Sequence, residues 1–486
     1  MKILKAAVCA AVSVVFAAAV CLPAGAESVV PYENYTYSEI DMSMVPGPQA
    51  YVPSALIYGR DIGAGDFSAP SDIEADSDGL IYVLDTGNNR VVVINDDLSY
   101  KTSFHCYNGG ANGKLADAGG IFVDDVYIYI ADTGNHQILI MDKNTGVQVK
   151  IVTAPKAELL GKDFIFNPIR LAVDSERLLY VVGEGTYEGI ININWNSEFI
   201  GFIGSSNVTA SVWDIFWQRF STKEQRKKMV QFIPQDHSSI DIDKDGFYYC
   251  TMYTQKDNRM VKRLNPGGAD VIRDISNVPI TGDPKNYLNG SLKGYSSFSD
   301  ISCGNYKIYA CLDYTRKKIF CYNHDGYLLY TFGDSSSQTG GFSQPAGITW
   351  LSGDRMAVID EHYGTVTVFS PTDYAKAIHE GLDAQNRLDY SSADKCWQRV
   401  LDMNSNFELA KNEVGKVYLA NKEYRKAMSE FKAANNMRQY SRALNEYRTQ
   451  LIYDNIYWII AAALGITALT VAVCLLRRRK RLKNRK

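Results

Sequence analysis

Histidine is scarce in this chain of 486 residues: six in all, His105, His136, His237, His324, His362 and His379. A catalytic zinc needs three clustered protein ligands, so so few histidines exclude a histidine-based zinc centre. Nine cysteines are present. Six of them, Cys106, Cys250, Cys303, Cys311, Cys321 and Cys396, lie outside the two apolar ends, and their spacing matches neither a disulfide framework nor a paired-cysteine zinc site. They are expected as buried thiols, with a bridge from Cys303 or Cys311 to a neighbouring strand left open. No Gly-x-Ser-x-Gly elbow and no phosphate-binding loop occurs. The net charge is only −3, which argues against a nucleic-acid-binding surface.

What is present begins with two special ends. Residues 1–26 carry Lys2 and Lys5, an apolar run from Ala6 to Leu22, and Ala24-Gly25-Ala26, the pattern of a secretory signal peptide cleaved after Ala26. Cys21 follows Val20 rather than a small residue, which disfavours a lipid-modified start. Near the other end, residues 454–476 read as a transmembrane helix. Ile456 to Leu476 carries no charge and, at about 1.5 Å per residue, is long enough to cross a hydrocarbon core of roughly 30 Å. Tyr453, Tyr457 and Trp458 stand where an aromatic belt lies, and the basic tail 477–486 opens with Arg477-Arg478-Arg479-Lys480-Arg481, the side retained in the cytoplasm. The expected topology puts nearly the whole chain outside a cell membrane, with the lipid bilayer contacted through residues 456–476.

Between the ends the chain repeats itself. Asp72-Ile73-Glu74-Ala75-Asp76, Leu80-Ile81-Tyr82-Val83-Leu84-Asp85-Thr86-Gly87-Asn88-Asn89-Arg90 returns as Gly120-Ile121-Phe122-Val123-Asp124, Ile128-Tyr129-Ile130-Ala131-Asp132-Thr133-Gly134-Asn135-His136. Short alternating strands recurring at a period of 40 to 50 residues mark a radial β-repeat. Diverged copies open at Pro168, Ser239, Asp300 and Pro345, giving six units. The last supplies only three strands before Ser370-Pro371, which would leave an open edge. Ala55 to Tyr58 is expected to fill it, closing the ring with strands from both ends of the chain. Residues 27–53 are a lead-in, and 54–371 the propeller.

These units resemble the NHL-repeat family of β-propellers, whose pattern of Pro-x-Gly-Ile-x-Val-Asp, Ile-Tyr-Val-x-Asp and Asn-x-Arg is met by the first two. The resemblance implies a mainly β, six-bladed β-propeller. Units three to five lack the Asp-Thr-Gly-Asn turn. An insertion at 205–235 carries Trp213, Phe216, Trp217 and Phe220 at helical spacing, an amphipathic helix that either packs on the propeller or docks a partner. In 372–453, Ala393, Trp397 and Val400 recur as Ala427, Phe431 and Ala434. This resembles tetratricopeptide repeats, implying an α-helical stalk with one complete unit at about 406–438.

In a propeller the openings of the inner strands meet around the central channel. Those positions are Asp72, Gly120, Arg170, Ser239, Asp300 and Gly347, so Asp72, Arg170 and Asp300, with His237 nearby, are the candidate ligand-binding residues. The alternative is a salt-bridge cluster that closes the channel. Asp76-Ser77-Asp78-Gly79 and Asp243-Lys244-Asp245-Gly246 read as hairpin turns, since no Glu follows at calcium-loop spacing. Asp85 and Asn88 are expected to brace their own turn. The expected function is that of a membrane-anchored extracellular scaffold, in a bacterium, that recognises a protein partner or polysaccharide as accessory to a transport or envelope complex, with no cofactor, metal or nucleic acid. Asn34, Asn207 and Asn289 head glycosylation sequons that would matter in a eukaryote. The competing expectation is a lactonase-type hydrolase or lyase with a divalent metal at the channel mouth, against which stands the lack of Glu at any inner-strand opening.

Overall fold

The computed structural model describes residues 30–107, 113–157, 160, 164–186, 188–204, 237–253, 259–273, 276–284 and 294–483. The expected signal peptide, the aromatic insertion with Trp213, Phe216, Trp217 and Phe220, and the sequons at Asn207 and Asn289 lie outside them.

Six sheets form a ring. Their inner strands are Pro70–Ala75, Gly120–Val123, Pro168–Val173, His237–Ile242, Phe298–Cys303 and Pro345–Trp350. Each second strand is covered on both faces by neighbouring blades and therefore reads as a continuous apolar run instead of alternating. Ile81–Asp85, Ile308–Asp313 and Met356–Asp360 are buried at every position.

Turn chemistry repeats with the blades. Asp76 Oδ1 accepts from the amides of Asp78 and Leu80, and its Oδ2 from the Tyr82 hydroxyl. Asp174 does the same for Glu176, Leu178 and Tyr180. These aspartates brace hairpins by side-chain to backbone bonds, as does Asp243, which accepts from Asp245 and Phe247. Asp85 braces its own turn and the opening of the blade at once: Oδ1 accepts from Ser68 N at 2.7 Å, and Oδ2 from Asn88 Nδ2 and Arg90 Nε. Gly87 is needed between them, because a Cβ there would meet Ser68 O at 2.5 Å.

The ring closes as the sequence predicts. Strand β3, Tyr51–Tyr58, pairs antiparallel with Thr365–Pro371 in the sixth blade. It starts earlier than the expected Ala55, running through Pro53. Proline is tolerated there because β3 is the outer strand, where one side of the backbone needs no ladder partner. Blade four departs from expectation: among the described residues its sheet has three strands. Single bridges from Asp270 and Ile280 cover its edge, since the segment between them carries Pro279 and does not alternate.

The lead-in is more than a linker. β1, Asn34–Tyr37, and β2, Met44–Gly47, form a hairpin laid along Leu328–Phe332 of blade five. Asn34 Oδ1 accepts from Thr331 N, and Tyr35 N donates to Thr331 Oγ1. The hydroxyls of Tyr35 and Tyr37 both donate to Asp283 Oδ1 at 2.6 Å. Asn34 is 2% exposed, which removes it as a glycan acceptor in the folded protein.

After the ring come α1 (Asp373–Asn386), α2 (Tyr390–Met403), α3 (Glu408–Ala420), α4 (Tyr424–Ala433) and α5 (Met437–Asp454). The unit before 406 is also a complete helix pair, α1 with α2. Gly381 lies against Trp397, and Gly415, 34 positions on, against Phe431; a Cβ at either would come within 3 Å of the ring. Helix α1 seats the bundle on the propeller through His379, whose Nε2 meets the Tyr330 hydroxyl at 2.7 Å and whose Nδ1 lies 3.5 Å from Asp354 Oδ2. Burial pushes the Asp354 carboxyl up, but hydrogen bonds from His379 and Asn305 outweigh it and hold the carboxyl below its usual value. Helix α6, Ile456–Lys483, follows α5 after one residue. It is the one helix among the described residues long and apolar enough to cross a membrane.

Candidate functional site

The structure brings Asp72, Arg170 and Asp300 together on the ring axis. Equivalent register places Asp72, Gly120, Arg170, Ser239, Asp300 and Gly347 at one level, each opposite the same position of its second strand. Long side chains fit because glycines face them. A Cβ on Gly347 would stand 2.6 Å from Asp72 Oδ1, and one on Gly120 would stand 3.1 Å from Arg170 Cδ.

Each of the three side chains reaches other blades. Asp72 Oδ2 accepts from Ile121 N of blade two at 2.8 Å and lies 3.8 Å from Arg170 Nη1 of blade three. Asp300 Oδ2 accepts from Ile348 N of blade six at 2.8 Å, and its Oδ1 from Ser239 Oγ of blade four at 2.7 Å. Arg170 Nε lies 3.5 Å from Asp300 Oδ1, and its Nη2 donates to Ala346 O of blade six. Three side chains thus join all six blades. Of the two sequence readings, ligand pocket or closing cluster, this geometry supports the closing cluster: the carboxylates already hold amides, a hydroxyl and a guanidinium.

One pleat further along, two carboxylates that the sequence reading did not single out line the same channel. Glu74 follows Asp72 by two, and Asp241 follows Ser239 by two; strand periodicity alone puts each pair on one face. Asp241 Oδ2 accepts from Cys303 N at 2.6 Å. Four acids therefore line the channel, and Arg170 lies within ion-pair distance of two of them, Asp72 and Asp300. Burial, with Asp300 adding to it and Arg170 opposing it, pushes Asp72 up to about 7. Burial raises Asp241 to about 6, against the amides of Cys303 and Ile242. Glu74 is held well above the usual carboxylate range by burial and by Asp241, Asp72 and Asp300. Burial opposes the charge of Arg170, yet Asp72 and Asp300 outweigh it and raise its pKa.

His237 is not part of this hub. It opens its strand at the position held by Pro70, Pro168 and Pro345 in other blades, opposite Met252. Its ring faces the blade three to blade four seam, where a Cβ on Gly204 would come within 3.6 Å of Nε2. Burial and the nearby Lys262 push its pKa down to about 4, so it is neutral.

The second polar feature is a groove of about 1060 Å³ between the N-terminal hairpin, the blade four to five connection and helices α3 to α5. Two carboxylates in its wall are engaged. Glu39 accepts from Ser276 Oγ and Asn277 N, and Glu408 accepts from Glu39 N, Ser38 Oγ and Asn435 Nδ2. Burial raises the Glu39 pKa despite the Ser276 and Asn277 bonds, with Glu408 adding to the rise. No sequence signal marked this groove, whose walls come from three regions far apart in the chain.

Comparison with known proteins identifies the repeat. The NHL repeat family matches residues 67–94, the first blade with its turn at Asp85-Thr86-Gly87-Asn88. No curated protein sequence matches the chain. Among solved structures, a streptogramin B lyase is similar at 11% identity with a TM-score of 0.41, covering 66% of this chain and 98% of that one. Virginiamycin B lyase from Staphylococcus aureus gives 14%, 0.38, 63% and 81%, and Kuenenia stuttgartiensis hydrazine synthase 10%, 0.40, 63% and 97%. Identities this low leave the chemistry of those proteins with them.

Proposed function

We propose that this protein is a single-pass membrane protein that displays its propeller and a tetratricopeptide-like stalk outside the cell, as a binding scaffold for a protein partner or a polysaccharide. On this reading residues 1–26 are a cleaved signal, α6 is the anchor, and the basic tail is cytoplasmic. The observation that carries the binding role is the axial hub. A propeller enzyme of the lactonase type needs open metal-facing carboxylates at the channel mouth, whereas Asp72 and Asp300 here are engaged with backbone amides and Arg170. The ring centre then serves as a fastening, and recognition falls to the faces and to the seam with the helices.

Two measurements test the reading. Protease added to intact cells should digest the propeller and spare only the tail; protection of the whole chain would refute the topology. Crosslinking on intact membranes should recover a reproducible partner or glycan. Turnover of a lactone panel, lost in Asp72→Ala or Asp300→Ala and accompanied by a metal-induced rise in melting temperature, would replace the scaffold with an enzyme.

A further inference from the structure

We propose that the end of helix α6 gathers anionic phospholipids, with Arg477, Arg478, Arg479, Lys480 and Arg481 forming a ring of headgroup ligands around it. This rests on the reading of α6 as a membrane anchor and assigns its lipid partner. The argument starts from length. Helix α6 runs unbroken from Ile456 to Lys483. Ile456 to Leu476 is free of charge and, at about 1.5 Å per residue, extends about 31 Å, the thickness of a hydrocarbon core. Nothing among the described residues covers this stretch, which leaves lipid as its surroundings. The cations that follow occupy about the next 7.5 Å of the helix axis. A bilayer of about 40–45 Å with a core of about 30 Å leaves roughly 5–8 Å for each headgroup layer. The cations therefore fall at the depth of the lipid phosphates.

Charge and direction select the partner. All these side chains are exposed, and none makes an ion pair or hydrogen bond among the described residues. No Asp or Glu occurs after Asp454, so the cluster has no acid of its own to neutralise it. Successive residues of an α-helix are turned by about 100°, so positions 477–481 point to every side of the axis. A protein partner docking on one helix face is met by residues three and four apart, in a stripe. Phospholipids surround a helix on all sides, and a ring of cations suits them. All but Lys480 are arginines, whose planar guanidinium holds two phosphate oxygens at once.

The test uses the full-length protein in nanodiscs of phosphatidylcholine that contain a minority of phosphatidylglycerol. Spin-labelled forms of the two lipids report, by electron paramagnetic resonance, which is held beside the helix. Both leaflets have the same composition, so the readout is independent of orientation. Phosphatidylglycerol should be preferred by about fivefold or more, and less so at high salt. Neutralising the whole ring, with Arg477→Gln, Arg478→Gln, Arg479→Gln, Lys480→Gln and Arg481→Gln, should bring the ratio to about one. Arg477→Gln with Arg481→Gln removes charge from one side of the helix, and Arg478→Gln with Arg479→Gln from the other; the two pairs should lower the preference equally. If the fully neutralised chain does not insert, these two pairs carry the test. No preference for phosphatidylglycerol, a preference that survives neutralisation, or a loss confined to one pair each overturns the proposal, the last in favour of a one-sided protein partner. A wild-type chain that does not enter the nanodisc refutes the anchor and the lipid ring together, whereas one that enters without preference refutes only the ring.

Discussion

The axial hub and the stalk groove are both dense in charge, and they differ in whether that charge has a partner. On the axis, Asp72, Arg170 and Asp300 reach into all six blades and bond to what they meet there. In the groove, Glu39 and Glu408 are likewise occupied, but Arg438 and Arg442 stand exposed and uncommitted among the described residues. A cluster of ionisable residues around a propeller channel draws attention as a site. Tracing each donor and acceptor to its partner moves that attention to the seam with the helices.

The comparison breaks most readily at Arg170. Replacing it with Ala leaves buried carboxylates without their counter-charge and should destabilise the protein by about 3–5 kcal/mol near pH 8, read by denaturant midpoint. A loss under about 1 kcal/mol would mean that water, not the guanidinium, holds the axis together. Gly347→Ala tests the same hub by crowding: its Cβ would stand 2.6 Å from Asp72 Oδ1, and overpacking of this kind costs about 1–3 kcal/mol.

The pH profile sharpens the contrast further. Asp72 and Asp241 bind protons more tightly in the folded channel, at about 7 and about 6, than at their ordinary value of 3.8. The stability they contribute is fullest below that ordinary value and is lost as pH rises through about 6 to 7. The protein should therefore be more stable at pH 5 than at pH 8 by about 2–4 kcal/mol from this source. Glu74→Gln with Asp241→Asn should flatten the difference, and Arg170→Ala should enlarge it. The smallest effect belongs to the groove: Arg438→Ala with Arg442→Ala should shift stability by less than about 0.5 kcal/mol, since neither side chain holds the fold together. A large shift there would make the arginines structural and erase the distinction between the two clusters.

Much of this was legible in the residues. Blade number, hairpin aspartates and the closing strand follow from alternation and turn chemistry, which act over a few positions. Asp72, Arg170 and Asp300 are legible because each opens an inner strand. Glu74 and Asp241 are equally legible, two positions along the same strands and on the same face. His237 is not at the axis, because the inner-strand level belongs to Ser239 and a bulge between the two offsets it. Nothing local announced that β1 and β2 would latch onto blade five, because Tyr35 and Tyr37 find Asp283 nearly 250 positions away.

The sequence by itself determined the repeat, the ring, its closure and the apolar helix at the end, since hydrophobic period and turn residues are properties of short segments. Only the tertiary structure decided that the axial charges face one another and are occupied, that blade four has three strands among the described residues, and that a groove opens beside α5. Those outcomes depend on which distant groups become neighbours, and pairing across hundreds of residues leaves no local trace in the chain.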